Sequence, residues 1–474
     1  MSDPKPLFLA GEWVRTPSTR AVVAPGTGES LGEVCLAGPD EVERAAQAAF
    51  EARPLVAGLR HGERADLLHA LADAVERERD LLAGTICDEA GKPLPLAEGE
   101  VSRALQTLRI GAEEATRVHG ELLPLDRTEK GAGRTALVRR APIGAVLGIT
   151  PFNFPLNLAL HKLAPALAAG CPVVLKAADQ TPLILLELAR LFAGIGAPAG
   201  ALSVLNAEVA QSETLVRDER FALLSFTGSP KVGYLLKSIC GRKKVLLELG
   251  GNAGVYVDQG ADLQRAAERV AFGALAYSGQ VCISVQRIYV HQAVYADFRA
   301  LLLERFQATR TGAPREEGVT VAPLIDEAAA QRVLSLVERA RAAGAEVLCG
   351  GTRDGASVAP TLLENVPDDA DASREEAFGP LACLCSVRDA EEGFARLDDS
   401  PFGLQAGVFS DDVQVLLRAH ERLEVGGIIH DDVPTWRVDE MPYGGVKQSG
   451  LGREGLRDSI REMTEPRLLV LRQR

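Results

Sequence analysis

Eight cysteines are spread along the 474-residue chain, with no C-x-x-C pair and no C-x₂-C followed by H-x₃-H, so neither a redox dithiol nor a zinc cage is offered. Reduced thiols in a cytoplasmic protein are the expectation, and no metal. Cys383 and Cys385, two apart in an apolar run, would share one face of a strand and read as packing. No long hydrophobic run occurs either. The stretches 143–150 and 163–175 fall short of the roughly 18–20 residues a spanning helix needs, and Gly and Pro interrupt the second. Residues 1–11 lack a basic segment before a long apolar one, so no secretory leader is expected. Basic residues are the minority, 52 Lys and Arg against 65 Asp and Glu, and the net charge of −13 argues against a nucleic-acid partner. Repeats and low-complexity tracts are missing. What remains is a globular composition, 25% charged and 46% hydrophobic, on a chain long enough for two or three domains that bind a small molecule.

After an extended opening at 8–14, Asp40 with Glu43 three residues on predicts a helix start over 41–52. Residues 61–90 carry apolar positions at helical spacing with Gly91 as a stop, and 120–140 reads as two extended pieces around Lys130-Gly131-Ala132-Gly133. From 141 to 252 short apolar runs alternate with helical ones: 143–149, 161–169, 172–175, 183–192, 202–205, 223–226, 232–239 and 245–249. Continuous apolar strands separated by helices imply a parallel sheet covered on both faces, so the fold class is α/β. A second alternating region runs from 263 to about 446, with strands at 287–290 and 426–429 and a helix at 326–343.

The strict G-x-G-x-x-G match, Gly450 to Gly455, is a decoy: only nineteen residues follow it, too few for a βαβ unit of about 30. A better phosphate site is Gly228-Ser229-Pro230, where an apolar run meets a helical one. Gly228 allows close approach, Ser229 can cap the helix and Pro230 suits its first turn. Alone, this segment reads more readily as an ordinary capped helix start.

Seven short motifs are strung along the chain: Thr150-Pro151-Phe152-Asn153-Phe154-Pro155, Val174-Leu175-Lys176, Gly228-Ser229, Leu247-Glu248-Leu249-Gly250-Gly251, Gly279-Gln280-Val281-Cys282, Glu375-Glu376-Ala377-Phe378-Gly379-Pro380 and Pro442-Tyr443-Gly444-Gly445-Val446-Lys447. Their order and spacing resemble the aldehyde dehydrogenase superfamily over nearly the whole chain. The resemblance implies a Rossmann-like NAD-binding domain (1–119 and 141–249), a catalytic α/β domain (250–455) and a small β oligomerisation arm (120–140 and 456–474). A hairpin alone is marginal in water, so a homodimer or homotetramer is expected.

Oxidation by hydride transfer requires the aldehyde carbon first to become tetrahedral, so a nucleophile must add. By the resemblance this is Cys282, with Asn153 and the Cys282 N–H stabilising the oxyanion and Glu248 activating the water that hydrolyses the thioester. A glutamate ending an apolar strand is expected to have a raised pKa, which suits that task. For the cofactor the resemblance implies Lys176 at the adenosine ribose and Glu376 with Phe378 at the nicotinamide ribose, in a crevice that includes Thr150, Pro151, Phe152, Gly228, Ser229, Leu249 and Gly250. Asp179, three residues after Lys176, departs from the Glu or Ser of many relatives; a carboxylate there accepts from a ribose hydroxyl and repels a 2′-phosphate, so NAD is favoured with NADP possible.

The segment Thr435-Trp436-Arg437-Val438-Asp439 resembles a branch containing lactaldehyde, phosphonoacetaldehyde and non-phosphorylating glyceraldehyde-phosphate dehydrogenases, hence a small polar or anionic aldehyde. Arg437 either clamps an anion or is neutralised by Asp439. His430 stands where relatives carry Asn. The alternatives are a CoA-acylating enzyme using the same Cys282, a non-catalytic protein on the same fold, and a cysteine hydrolase, for which no Cys-His motif is present.

Overall fold

A computed structural model describes residues 3–472. The α/β expectation holds, with two large sheets and a separate antiparallel arm. At the centre of the first sheet five parallel strands lie in the spatial order Leu202–Leu205, Val173–Lys176, Ala145–Ile149, Phe221–Thr227, Lys244–Glu248. In chain order that is 3-2-1-4-5, the doubly wound arrangement. The direction of winding reverses between Ala145–Ile149 and Phe221–Thr227, and a crevice opens there beyond the carboxyl ends of the strands. The strands are buried on both faces, as continuous apolar runs require. Gly450–Leu451 closes one edge by pairing antiparallel with Leu247 and Glu248, which is the structural use of the decoy motif.

The second sheet orders Glu346–Cys349, Thr361–Glu364, Leu381–Val387, Val285–His291, Ala253–Val257, Gln405–Phe409 and Gly427–His430, all parallel except the first pair. Cys383 and Cys385 are buried in Leu381–Val387. The arm is three antiparallel strands, Thr464–Arg472, Arg134–Pro142 and Glu121–Pro124, with Leu122, Leu468, Leu469 and Leu471 exposed.

Two helix boundaries differ from expectation. The first helix is Pro39–Gly58, and its capping glutamate is Glu41, which accepts from Gly38 N–H at 2.8 Å, so Asp40 and Glu43 do not form the box. The periodic run 61–90 is two helices, His61–Arg77 and Arg79–Ala90, because the chain leaves helical geometry at Glu78; Gly91 then ends the second in the left-handed region. The expected opening is a hairpin of Leu7–Leu9 with Glu12–Val14. A 22-residue helix, Leu94–Ala115, escaped prediction. It matters for the site, since its Glu100 accepts from Leu156 and Asn157 N–H at 3.0 and 3.1 Å and so holds the start of helix Pro155–Ala169. That helix is buried along its whole length, as one apolar all round must be.

Candidate active site

The ends of the parallel strands deliver the predicted residues to one cleft of about 1580 Å³. Thr150, Pro151, Phe152 and Asn153 follow the strand Ala145–Ile149; Lys176 ends its neighbour; Gly228 and Ser229 follow Phe221–Thr227; Glu248, Leu249 and Gly250 finish Lys244–Glu248. Asp179, Cys282, Glu376 and Phe378 complete the lining. Ser229 caps the helix Pro230–Ile239 by accepting from Val232 N–H, so the first turn's N–H groups face the crevice. At the far end Lys176 Nζ binds Asp179 at 2.6 Å, and Asp179 also takes Arg20 at 3.0 Å, a cation the sequence reading missed. The donor set, a capped helix start beside a lysine and a carboxylate at a topological switch point, fits a dinucleotide.

Cys282 is partly exposed in the cleft and sits after a strained turn: Tyr277 and Ser278 hold φ of 52° and 55° and Gly279 follows at 70°. Two non-glycine residues persist there because their side chains are pinned. Tyr277 Oη donates to Ala90 O at 2.9 Å, and Ser278 Oγ donates to Ala322 O at 2.6 Å while accepting from Ala322 N–H. One N–H of the Asn153 amide donates to Gln280 O at 2.9 Å, which fixes the side chain and leaves its second donor for a ligand. Close approach also dictates Gly250 and Gly251: a Cβ on the first would meet the Glu376 carboxylate at 2.4 Å and on the second the Cys282 carbonyl at 2.2 Å.

Electrostatics follow from burial. The Cys282 thiol is pushed up to about 12 by burial, against a hydrogen bond from Tyr443. Glu376 accepts from Gly251 N–H at 3.0 Å and is raised to about 7 by burial. Glu248, 5% exposed, is held well above the ordinary carboxylate range by burial and then by the nearby charge of Glu454. Glu454 stays below its ordinary value, because Lys162, His161 and Arg437 outweigh burial. Lys162 Nζ reaches Thr227 Oγ1 at 2.7 Å, Ser225 Oγ at 3.2 Å and Glu454 at 3.3 Å.

A family model for the aldehyde dehydrogenase family matches residues 13–469. The chain belongs to that family. This dehydrogenase is 42% identical over 466 residues to 3-sulfolactaldehyde dehydrogenase of Priestia aryabhattai, covering 98% of this chain and 97% of the relative. It is 38% identical to an Escherichia coli succinate-semialdehyde dehydrogenase [NADP(+)], covering 98% and 97%. Among solved structures, aldehyde dehydrogenase 21 from Physcomitrella patens in complex with the reaction product succinate superposes with TM-score 0.98 at 38% identity, covering 100% and 99%. NADP-dependent glyceraldehyde-3-phosphate dehydrogenase from Bacillus halodurans, complexed with NADP, gives 0.97 at 34%, covering 100% of both chains.

In the dehydrogenase, Arg437 and Asp439 do not form a hydrogen-bonded pair. That carboxylate is taken by Arg103 (2.6 and 3.1 Å), His161 (2.8 Å) and Asn157 (3.2 Å). Arg437 is left buried over the Tyr443 ring, 3.6 Å from its centroid. It is 3.7 Å from Glu454, and its Nε and Nη2 have no hydrogen-bond partner among the described residues. His430 is exposed, bonds Ser410 O at 3.0 Å and does not line the cleft. Sequence reasoning missed Lys162, Glu454, Arg103 and Tyr443 as parts of the site. The legible signal was Lys162: a lysine inside an apolar helix demands a buried partner.

Proposed function

We propose that the protein oxidises a small anionic aldehyde to the carboxylic acid, with NAD as cofactor and NADP also accepted, through a thioester on Cys282. The observation that carries this is the single cleft in which Cys282, Asn153 and Glu248 meet the dinucleotide crevice. The Cys282 sulfur adds to the aldehyde carbon. The oxyanion of the resulting thiohemiacetal is met by the free Asn153 N–H and the Cys282 backbone N–H, donors of a kind whose loss costs about 10²–10³ in turnover. Bound NAD(P) supplies the acceptor for the hydride that leaves this carbon. Lys176 and Asp179 would hold the adenosine ribose and Glu376 the nicotinamide ribose, with Phe378 against Phe152 bounding the ring's site. Glu248, its proton affinity raised by burial, then takes a proton from the water that cleaves the thioester.

An anionic substrate is supported by Arg437, a cation that lines the cleft and makes no hydrogen-bonded carboxylate pair among the described residues, its contact with Glu454 being 3.7 Å. The names of both relatives above denote aldehydes with an anionic group. Lys162, Glu454 and Arg103 are assigned to charge balance and positioning. The domains are proposed as 1–119 with 141–249, 250–455, and the arm 120–140 with 456–474, although Gly450–Leu451 joins the first sheet and Leu456, Ile460 and Met463 enter its core. The exposed leucines of the arm support a homodimer or homotetramer. Free cysteines fit a cytoplasmic setting, and no helix among the described residues is long and apolar enough to cross a membrane.

The test is NADH absorbance with the purified protein, NAD and a panel of short aldehydes, neutral and anionic, with and without CoA, repeated with Cys282→Ala. NADH without CoA, anionic aldehydes preferred, and no signal from Cys282→Ala are expected. Equal use of neutral aldehydes would remove the substrate class, and no NADH from any aldehyde even with CoA would remove the reading itself.

A further inference from the structure

The hydroxyl of Tyr443 has one polar partner among the described residues, the sulfur of Cys282 at 3.1 Å. The ring is 3% exposed and packs with Ile283 and Leu404, contacts that a phenylalanine would make as well. Its backbone is fixed by reciprocal bonds with Glu454, Tyr443 N–H to Glu454 O at 2.8 Å and the reverse at 2.6 Å. The Arg437 guanidinium lies over the ring, 3.6 Å from its centroid, so the phenol cannot swing away without breaking that contact. A buried hydroxyl that adds nothing to packing and points at a nucleophile needs a chemical account.

We propose that Tyr443 is a further catalytic residue of the dehydrogenase, its hydroxyl donating a hydrogen bond to the Cys282 thiolate and so raising the fraction of the sulfur able to attack. The proton count is simple. The thiol S–H proton leaves to solvent through the cleft, the phenol keeps its own proton throughout, and the O–H that shared the thiol's proton then points to S⁻. Once the C–S bond forms, sulfur becomes a poor acceptor and the hydroxyl is released. The charged groups facing Sγ and the hydroxyl are Arg437, which favours the thiolate, and Glu376 and Glu248, which oppose it. Burial with two carboxylates nearby is a poor place for a thiolate, and the phenol donor with Arg437 behind it opposes part of that effect. This rests on Cys282 being the nucleophile.

The test uses the full-length enzyme without ligands and a neutral alkylating agent, iodoacetamide, followed by mass spectrometry at Cys282 as a function of pH. A hydrogen bond to a charged group typically moves a titration by about 1–2 pH units. Tyr443→Phe, which keeps the ring and its packing, is therefore expected to shift the alkylation midpoint upward by about that much. Near neutral pH, below both midpoints, its alkylation should be about 10–100-fold slower. The KM for NAD should be unchanged. Superimposable alkylation profiles would overturn the proposal. If Cys282→Ala abolishes NADH formation while Tyr443→Phe titrates as wild type, this inference alone fails; if Cys282→Ala still forms NADH, the nucleophile assignment fails with it.

Discussion

Replacing Lys92 by Met strands the carboxylate of Glu100 in a place where neither side chain touches solvent. One carboxylate oxygen of Glu100 accepts both N–H groups at the start of helix Pro155–Ala169, and the other takes Lys92. The ammonium also lies over Phe154, 3.7 Å from the ring centroid, and over Tyr277 at 4.6 Å. The pair thus joins the segment carrying Asn153 to the turn before Cys282. Burial depresses the Lys92 pKa in spite of Glu100, so the intact pair gains little over an apolar replacement, whereas breaking it costs about 3–5 kcal/mol. Glu100→Gln is equally costly: its carbonyl can still cap the helix, but its NH₂ then faces an ammonium. In Lys92→Met/Glu100→Gln the cap survives and the clash is gone, so the double variant should lie within about 1–2 kcal/mol of wild type, the cost of one unpaired amide. Unfolding entropy of about 2 cal/mol/K per residue gives about 1 kcal/mol/K over 474 residues. Each single variant should therefore melt about 3–5 °C lower, and further if the first unit unfolds alone. The assay is differential scanning calorimetry on all four proteins, read as a double-mutant cycle. Additive losses in the double variant would refute the reasoning.

Three further outcomes follow from the same geometry. Asp179→Ser removes the carboxylate but leaves Lys176 and Arg20 beside it, so the ratio of kcat/KM for NADP over NAD should rise by at least about tenfold, as the loss of one charge repulsion allows; an unchanged ratio would move the discrimination elsewhere. Glu454→Gln removes the negative charge that helps raise Glu248 and frees Lys162 and Arg437 to lower it, so the acidic limb of the kcat–pH profile, where Glu248 must be ionised, should shift to lower pH, and a shift upward would contradict the assignment. Leu468→Glu with Leu469→Glu on the exposed arm should give monomers in sedimentation velocity, and assembly as tight as wild type would show that this face is not the interface.

Much of this was legible in the chain. The strands 143–149, 172–175, 202–205, 223–226 and 245–249 could be read because buried parallel strands are continuous apolar runs, and the residues at their ends are those that meet in the cleft. Strand order was not legible, since it depends on which helices cover which face. Leu94–Ala115 was missed because its first turn begins Leu94-Pro95 without a capping side chain, and its buried face includes Glu100 and Thr107, which break the apolar stripe. Glu454 was hidden for a related reason: it belongs to a glycine motif that fails as a phosphate loop, and its role arises only when Gly450–Leu451 pairs beside Glu248. Arg437 could not be resolved from sequence, because its freedom depends on Arg103 and His161, some 280 to 340 positions away, occupying Asp439.

The central claim is that the acyl group passes through Cys282 and leaves by way of Glu248. Glu248→Gln, mixed rapidly with NAD and an aldehyde the wild type uses, isolates the step between. The account predicts a burst of about one NADH per active site followed by near arrest, with the acyl mass found on the Cys282 peptide. Steady turnover without a burst, or an acyl group on another residue, would contradict it.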